Sequence, residues 1–152
     1  MALPVGTPAP RFKLAHKPGE EVDVGAHIGR EKVVLLFFPL AFSSVCTEEM
    51  CAFTDDFDAF SSKEVTVLPI SVDSVPTLKE FKAKHGMKVD LGSDFKREVA
   101  TAYGVLHPAF FSTRAYFLID KTGVIRWSFV EATPGTRRQN AEILGEIAKL
   151  AG

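Results

Sequence analysis

Two cysteines, Cys46 and Cys51, lie five positions apart in the stretch PLAFSSVCTEEMC, residues 39 to 51, and they are the only two in the chain. A thiolate can attack an electrophile, bind a metal or form a disulfide with a second thiol. A zinc site needs about four ligands, and the chain adds only four scattered histidines, so we expect neither a metal nor a cofactor. Dithiol exchange enzymes use C-x-x-C spacing, which differs from the spacing found here. The remaining interpretations are a reactive pair and a buried structural thiol.

A strand followed by a helix is predicted to position these thiols. The run KVVLLFF, residues 32 to 38, is wholly apolar, as is typical of a central strand covered on both faces. From Cys46 onward, apolar residues recur at helical spacing, namely Met50, Phe53, Phe57 and Phe60. We expect Glu48 and Glu49 in the first helical turn, where the helix dipole favours carboxylates. Cys46 then lies at the strand-to-helix junction, where unpaired backbone N–H groups favour a thiolate.

Helical geometry constrains a bond between the two cysteines. On an ideal helix, Cys51 lies about 140° around the axis and about 7.5 Å along it from Cys46, which separates the Cα atoms by roughly 8 to 9 Å. A disulfide rarely spans more than about 7 Å between Cα atoms. A bond between Cys46 and Cys51 therefore requires the first turns of this helix to unwind.

The other predicted elements indicate an α/β protein. VTVLPISV (65–72) is typical of a strand, PTLKEFKAKHG (76–86) and DFKREVATAYGV (94–105) of helices, and RRQNAEILGEIAKLA of a last helix. AYFLID and VIRWSFV flank KTG as a hairpin. This order predicts a thioredoxin-like fold, with a central mixed sheet flanked by helices and an N-terminal hairpin extension around RFKLAH and EEVDV.

Composition limits the partners that we expect. The chain has 152 residues, 46% of them apolar, and a net charge of −1, which indicates one globular domain over residues 1–152. It has no block of five like charges, no basic region followed by a hydrophobic stretch near its start and no apolar run of membrane-spanning length. We therefore expect a cytoplasmic protein that binds neither nucleic acid nor membranes.

The residues around the first cysteine carry a specific resemblance. PLAFSSVC contains Pro39, Ser43 and Cys46 in the pattern P-x-x-x-T/S-x-x-C, which is typical of peroxiredoxins. The chain resembles that family over nearly its whole length, through GTPAPRFKL near the start, Glu49 three residues after the cysteine, Arg114 at the head of RAYFLID, and the hairpin DKTGVIRW.

The resemblance implies a thiol-dependent peroxidase that reduces hydrogen peroxide and organic hydroperoxides. Cys46 would be the peroxidatic cysteine, and Ser43 and Arg114 would stabilise the charge that develops on sulfur and oxygen. Pro39 would shield the site from water. Glu49 would pair with Arg114 and orient it.

The resemblance also suggests how the enzyme is reset. The position of Cys51 is similar to that of the resolving cysteine in the subgroup related to bacterioferritin comigratory protein, whereas FFPLAFSSVC also resembles the alkyl hydroperoxide reductase E group, many of whose members lack it. We expect Cys51 to resolve Cys46 within one chain, with thioredoxin or a similar thiol as reductant, in a monomer or homodimer. The alternatives are a one-cysteine enzyme that uses an external thiol and a redox-sensing binding protein.

Overall fold

The computed structural model describes residues 2–17, 20–42, 44–62, 65–87, 90–132 and 137–150, which form seven strands and six helices. The strands are β1 (Lys13–Lys17), β2 (Glu20–Asp23), β3 (Lys32–Phe37), β4 (Val65–Ser71), β5 (Gly92–Ser93), β6 (Ala115–Ile119) and β7 (Ile125–Val130). The helices are α1 (Val24–His27), α2 (Ser44–Asp55), α3 (Phe57–Ser62), α4 (Val75–His85), α5 (Glu98–Ala102) and α6 (Asn140–Ala148).

The strands form one mixed sheet in the order β2-β1-β5-β4-β3-β6-β7. The central strand β3 pairs in parallel with β4 and antiparallel with β6, and β6 pairs antiparallel with β7 as the predicted hairpin. The predicted N-terminal hairpin is also present, and it joins the sheet through pairing of Ala15 in β1 with Ser93 in β5. The expected α/β, thioredoxin-like architecture is therefore confirmed.

The wholly apolar sequence of β3 is explained by its position between two cores. Alternate residues of a strand point to opposite faces of the sheet. One face contributes Val33, Leu35 and Phe37, which pack with residues of α1 and α5. The other contributes Val34, Leu36 and Phe38, which pack with residues of α2, α3, α4 and α6. Both faces must be apolar because helices cover both of them.

Helix α2 differs from its prediction at both ends. It begins at Ser44, two residues before Cys46, so Glu48 and Glu49 lie in the second turn and the expected first-turn placement was wrong. It ends at Asp55, and α3 begins after Asp56. Apolar periodicity predicted one continuous helix here and did not reveal the break between α2 and α3. At this break the Asn140 side chain, from α6, donates a hydrogen bond of 2.8 Å to the Asp56 carboxylate.

The helix predicted over residues 94–105 is reduced to α5. The buried Asp94 carboxylate accepts hydrogen bonds from the backbone N–H groups of Val99, at 3.1 Å, and Ala100, at 2.7 Å. An aspartate that caps a helix from outside favours a start after it, and Arg97, with φ of 64°, interrupts the helical backbone before Glu98.

Helix α4 agrees with its prediction. The Ser74 hydroxyl accepts a hydrogen bond from the backbone N–H of Thr77, and Gly86 ends the helix with φ of 59°, a conformation that favours glycine.

The last helix is also present, although it begins at Asn140 rather than at Arg137. Among the described helices, none has the length and apolar character that crossing a bilayer requires.

Candidate active site

The predicted site lies where β3 leads into α2. Pro39 is buried two positions after the end of β3. Ser43 lies outside the described residues. The backbone of Cys46 lies in the first turn of α2, as the sequence predicted, and the N–H groups of a first helical turn have no partner within the helix.

Asp73 holds the loop between β3 and α2. Its carboxylate accepts a hydrogen bond of 2.8 Å from the backbone N–H of Ala41 and one of 2.7 Å from the Ser71 hydroxyl. Asp73 was not predicted as a site residue. Because it follows β4, which is parallel to β3, and the carboxyl ends of parallel strands meet at one edge, its place in the sequence was an available signal.

Glu49 and Arg114 form a buried ion pair beside the helix start. The Arg114 guanidinium donates from Nη1 to Glu49 Oε1 at 2.6 Å, and the two side chains are 1% and 0% exposed. The predicted pairing is therefore confirmed, and Arg114 is not the surface residue that an arginine at a strand end usually is. Positions three apart on a helix share a face, so Cys46 and Glu49 occupy the same face of α2.

Tyr116 is the second hydrogen-bond donor to Glu49, and it was not predicted as a site residue from the sequence. Its hydroxyl donates a hydrogen bond of 2.7 Å to Glu49 Oε2, so each carboxylate oxygen has its own donor. Because Tyr116 follows Arg114 by two positions along an extended segment, the two side chains point to the same face of the sheet. That alternation was the available signal.

Burial and charge act in opposite directions on this cluster. Burial raises the pKa of the Glu49 carboxyl, while the charge of Arg114 and the hydrogen bonds from Tyr116 and Arg114 oppose the increase. Burial and the adjacent Glu49 charge also raise the pKa of Tyr116. The phenol therefore remains a hydrogen-bond donor at neutral pH.

Cys51 lies in the same helix as Cys46 and is a half-buried free thiol. Helix α2 is continuous from Ser44 to Asp55, so both positions belong to intact helical turns. Among the residues that the structure describes, no group of three or more His, Cys, Asp and Glu side chains could hold a metal ion.

Comparisons with known proteins agree with this arrangement. Residues 5–128 match the model of the AhpC/TSA family. The chain is 34% identical to alkyl hydroperoxide reductase E of Mycobacterium tuberculosis, over 90% of this chain and 92% of that protein. It is also 34% identical to the chloroplastic 2-cysteine peroxiredoxin of Chattonella marina, over 86% of this chain and 72% of that protein.

A solved structure extends the similarity to three dimensions. The reduced 2-Cys peroxiredoxin of Plasmodium vivax superposes with a TM-score of 0.87 at 35% identity, covering 95% of this chain and 80% of that one. Members of this family need a hydroperoxide substrate and a thiol reductant. With the family model matching most of the chain, the protein belongs to the AhpC/TSA family and is a peroxiredoxin, an enzyme that reduces peroxides with a thiol.

Proposed function

We propose that Cys46 is the peroxidatic cysteine and that the enzyme reduces hydrogen peroxide and organic hydroperoxides. The observation that carries this proposal is the buried Glu49–Arg114 pair on the face of α2 that includes position 46. Burying a guanidinium is costly unless it is paired and hydrogen-bonded. The positive charge of Arg114 is thereby kept close to the helical turns that include position 46. A thiolate and a departing oxygen anion are both stabilised by such a charge.

The first step balances as a two-electron oxidation of sulfur. The Cys46 thiolate attacks the terminal oxygen of ROOH, so an S–O bond forms as the O–O bond breaks. Cys46 becomes a sulfenic acid, and the departing RO⁻ takes a proton to become an alcohol, or water when the substrate is hydrogen peroxide.

Thiolate formation alone contributes too little to this step. A thiol with a pKa of about 8.5 is roughly 3% ionised at neutral pH, so full ionisation raises the nucleophile concentration only about thirtyfold. Oriented donors must supply the rest, and we assign this role to Arg114, Ser43 and the first N–H groups of α2. The burial of Pro39 supports its assignment as a shield against water.

In the second step, we propose that Cys51 resolves the sulfenic acid. Its sulfur attacks that of Cys46, an S–S bond forms, and the hydroxyl group leaves as water with the Cys51 proton. Because both residues belong to continuous helical turns, this bond requires part of α2 to unwind. A dithiol such as thioredoxin would then reduce the disulfide and return both thiols.

We further propose a location and an oligomeric state for the enzyme. It acts in the cytoplasm as a single domain over residues 1–152, as a monomer or homodimer without nucleic-acid or membrane partners. The near-neutral net charge of −1 supports the absence of polyanionic partners. Phe42, which lies in the loop held by Asp73 and is 46% exposed, offers an apolar surface for the organic part of a hydroperoxide.

A peroxide titration of the reduced protein tests the assignment of Cys46. We expect wild type to consume peroxide continuously with thioredoxin, and Cys46→Ser to consume none, because a hydroxyl is barely ionised at neutral pH. Cys51→Ser is the matched control and should still consume one equivalent. Retained turnover in Cys46→Ser would contradict the proposal. Wild type that reacts once without sustained consumption would instead indicate the redox-sensing alternative.

A further inference from the structure

The Glu49 carboxylate is held by two donors from one strand end. Arg114 Nη1 binds Oε1 at 2.6 Å and the Tyr116 hydroxyl binds Oε2 at 2.7 Å, and all three side chains are buried. The terminal torsion of a glutamate is broad, so one bond leaves the carboxylate plane free to rotate. A second bond to the other oxygen removes that freedom. Arg114 therefore meets a carboxylate of defined orientation only while Tyr116 is in place.

Tyr116 is itself oriented from the opposite side. The backbone N–H of Arg138 donates to the Tyr116 oxygen at 2.8 Å, which directs the phenolic proton toward Glu49. The Arg138 guanidinium is in turn held by buried Glu131, at 3.0 Å, and lies over the Phe129 ring at 4.2 Å. The segment before α6 thus supports the hydrogen-bond chain from Tyr116 to Glu49 and Arg114.

We propose that Tyr116 is a positioning residue for the peroxidase reaction: its hydroxyl holds the Glu49 carboxylate so that Arg114 is directed at the peroxide bound by Cys46. The inference rests on the proposed function of Cys46 and Arg114. Tyr116 acts through Glu49 and need not contact the substrate. Its loss should therefore slow the reaction of Cys46 with peroxide and leave the reduction of the oxidised enzyme by thioredoxin unchanged, because that later step does not use Arg114 to orient a peroxide.

Tyr103 provides a matched control for Tyr116. The chain has two tyrosines, and each hydroxyl donates to an oxygen within the protein. Tyr103 donates to the backbone oxygen of Pro10 at 2.8 Å, on the opposite face of the sheet, where it packs against Phe37. Changing either tyrosine to phenylalanine removes one hydroxyl and keeps the ring. Tyr116→Phe should lose somewhat more stability, because its bond is to a carboxylate, but both variants should remain folded, so a difference in activity reports on position.

The experiment measures kcat/KM for hydrogen peroxide and for thioredoxin in wild type, Tyr116→Phe and Tyr103→Phe. We expect Tyr116→Phe to lower kcat/KM for peroxide by about fivefold to tenfold, less than the full effect of a hydrogen bond to a charged group because Tyr116 acts indirectly through Glu49, with kcat/KM for thioredoxin unchanged. Tyr103→Phe should match wild type in both. A peroxide rate for Tyr116→Phe within twofold of wild type, or equal losses in both half-reactions, would overturn the inference.

A double-mutant cycle tests whether Tyr116 acts through Glu49. Glutamine at position 49 puts an NH₂ donor in place of one carboxylate oxygen, so one of the two donors, which bind different oxygens, loses its acceptor. In a Glu49→Gln background, Tyr116→Phe should therefore cost less than about twofold in the peroxide rate. An undiminished loss would show that Tyr116 acts independently of Glu49, against the proposal. If Glu49→Gln does not fold, the comparison with Tyr103→Phe decides alone. Wild type whose Cys46 does not react with peroxide would instead refute the proposed function itself.

Discussion

Glu49 and Arg114 are 65 positions apart in the chain, yet their side chains meet at 2.6 Å in the protein interior. One belongs to α2 and the other immediately precedes β6, so the pair ties the cysteine-bearing helix to the central sheet. Glu49 also lies between positions 46 and 51. If the turns that contain both cysteines unwind, they do so beside the Glu49–Arg114 ion pair or by breaking it.

Replacing Arg114 by lysine should lower kcat/KM for peroxide by about a hundredfold, although the charge is kept. An ammonium cannot offer the planar fork that reaches Glu49 and the reacting atoms together. Arg126→Lys is the control, because the Arg126 side chain is 53% exposed in the β6–β7 hairpin and should have wild-type activity. Steady-state kinetics with an excess of thioredoxin would measure both, and an Arg114→Lys activity within twofold of wild type would exclude Arg114 from the mechanism.

Replacing Cys51 by serine should separate resolution from peroxide reduction. One equivalent of peroxide should make wild type lighter by about 2 Da, as expected for an intramolecular disulfide, with some loss of helical circular dichroism. Cys51→Ser should react once, remain as a sulfenic acid, and over-oxidise to sulfinic acid when peroxide is in excess. Intact mass and peptide mapping would follow these products. Finding Cys51 reduced while Cys46 is oxidised in wild type would favour the one-cysteine alternative.

The ionisation of Glu49 should reduce stability as the pH rises. Burial raises its pKa in the folded protein, so the folded state retains the proton at pH values where the unfolded chain releases it. The contribution of Glu49 is therefore greatest below its unfolded pKa and is lost as the pH rises through the folded pKa. Urea unfolding of wild type and Glu49→Gln between about pH 4.5 and pH 8 should show the wild-type advantage decreasing. An advantage that grows with pH would mean that the Arg114 charge outweighs burial.

Asp120 should show the opposite pH dependence. Burial tends to raise its pKa, but hydrogen bonds from the Thr122 side chain, from Arg126 and from the backbone N–H groups of Val124 and Thr122 lower it to about 2. Its contribution is present above the unfolded pKa and is lost as the pH falls toward about 2. Asp120→Asn should therefore cost about 1 kcal/mol of unfolding free energy at neutral pH and much less near pH 2.

Lys121→Gln is the control for the hairpin. Lys121 is exposed in the same turn, and its replacement should leave the unfolding free energy unchanged at both pH values. An equal loss for Asp120→Asn at neutral and acidic pH would show that a change in packing, rather than the carboxylate charge, is responsible.

The features that the sequence determined are those that depend on near neighbours in the chain. An unbroken apolar run predicted β3, the segment PTLKEFKAKHG (76–86) predicted α4, and the motif around Pro39 and Cys46 indicated the candidate site. Family resemblance added the pairing of Glu49 with Arg114. The first three signals are carried within a few residues or by a short motif, whereas the pairing joins residues 65 positions apart and came from the family resemblance alone.

The features that only the tertiary structure decided depend on which elements lie side by side. Tyr116 reaches Glu49 across 67 positions, Asn140 reaches Asp56 across 84, and the contact with Asn140 lies where periodicity predicted a continuous helix. The shortening of α5 is different, because Asp94 bonds the helix start from only five and six positions away and its burial, rather than its distance along the chain, was hidden from the sequence. A buried polar group must find a partner wherever the fold brings one, and local periodicity contains no information about that partner.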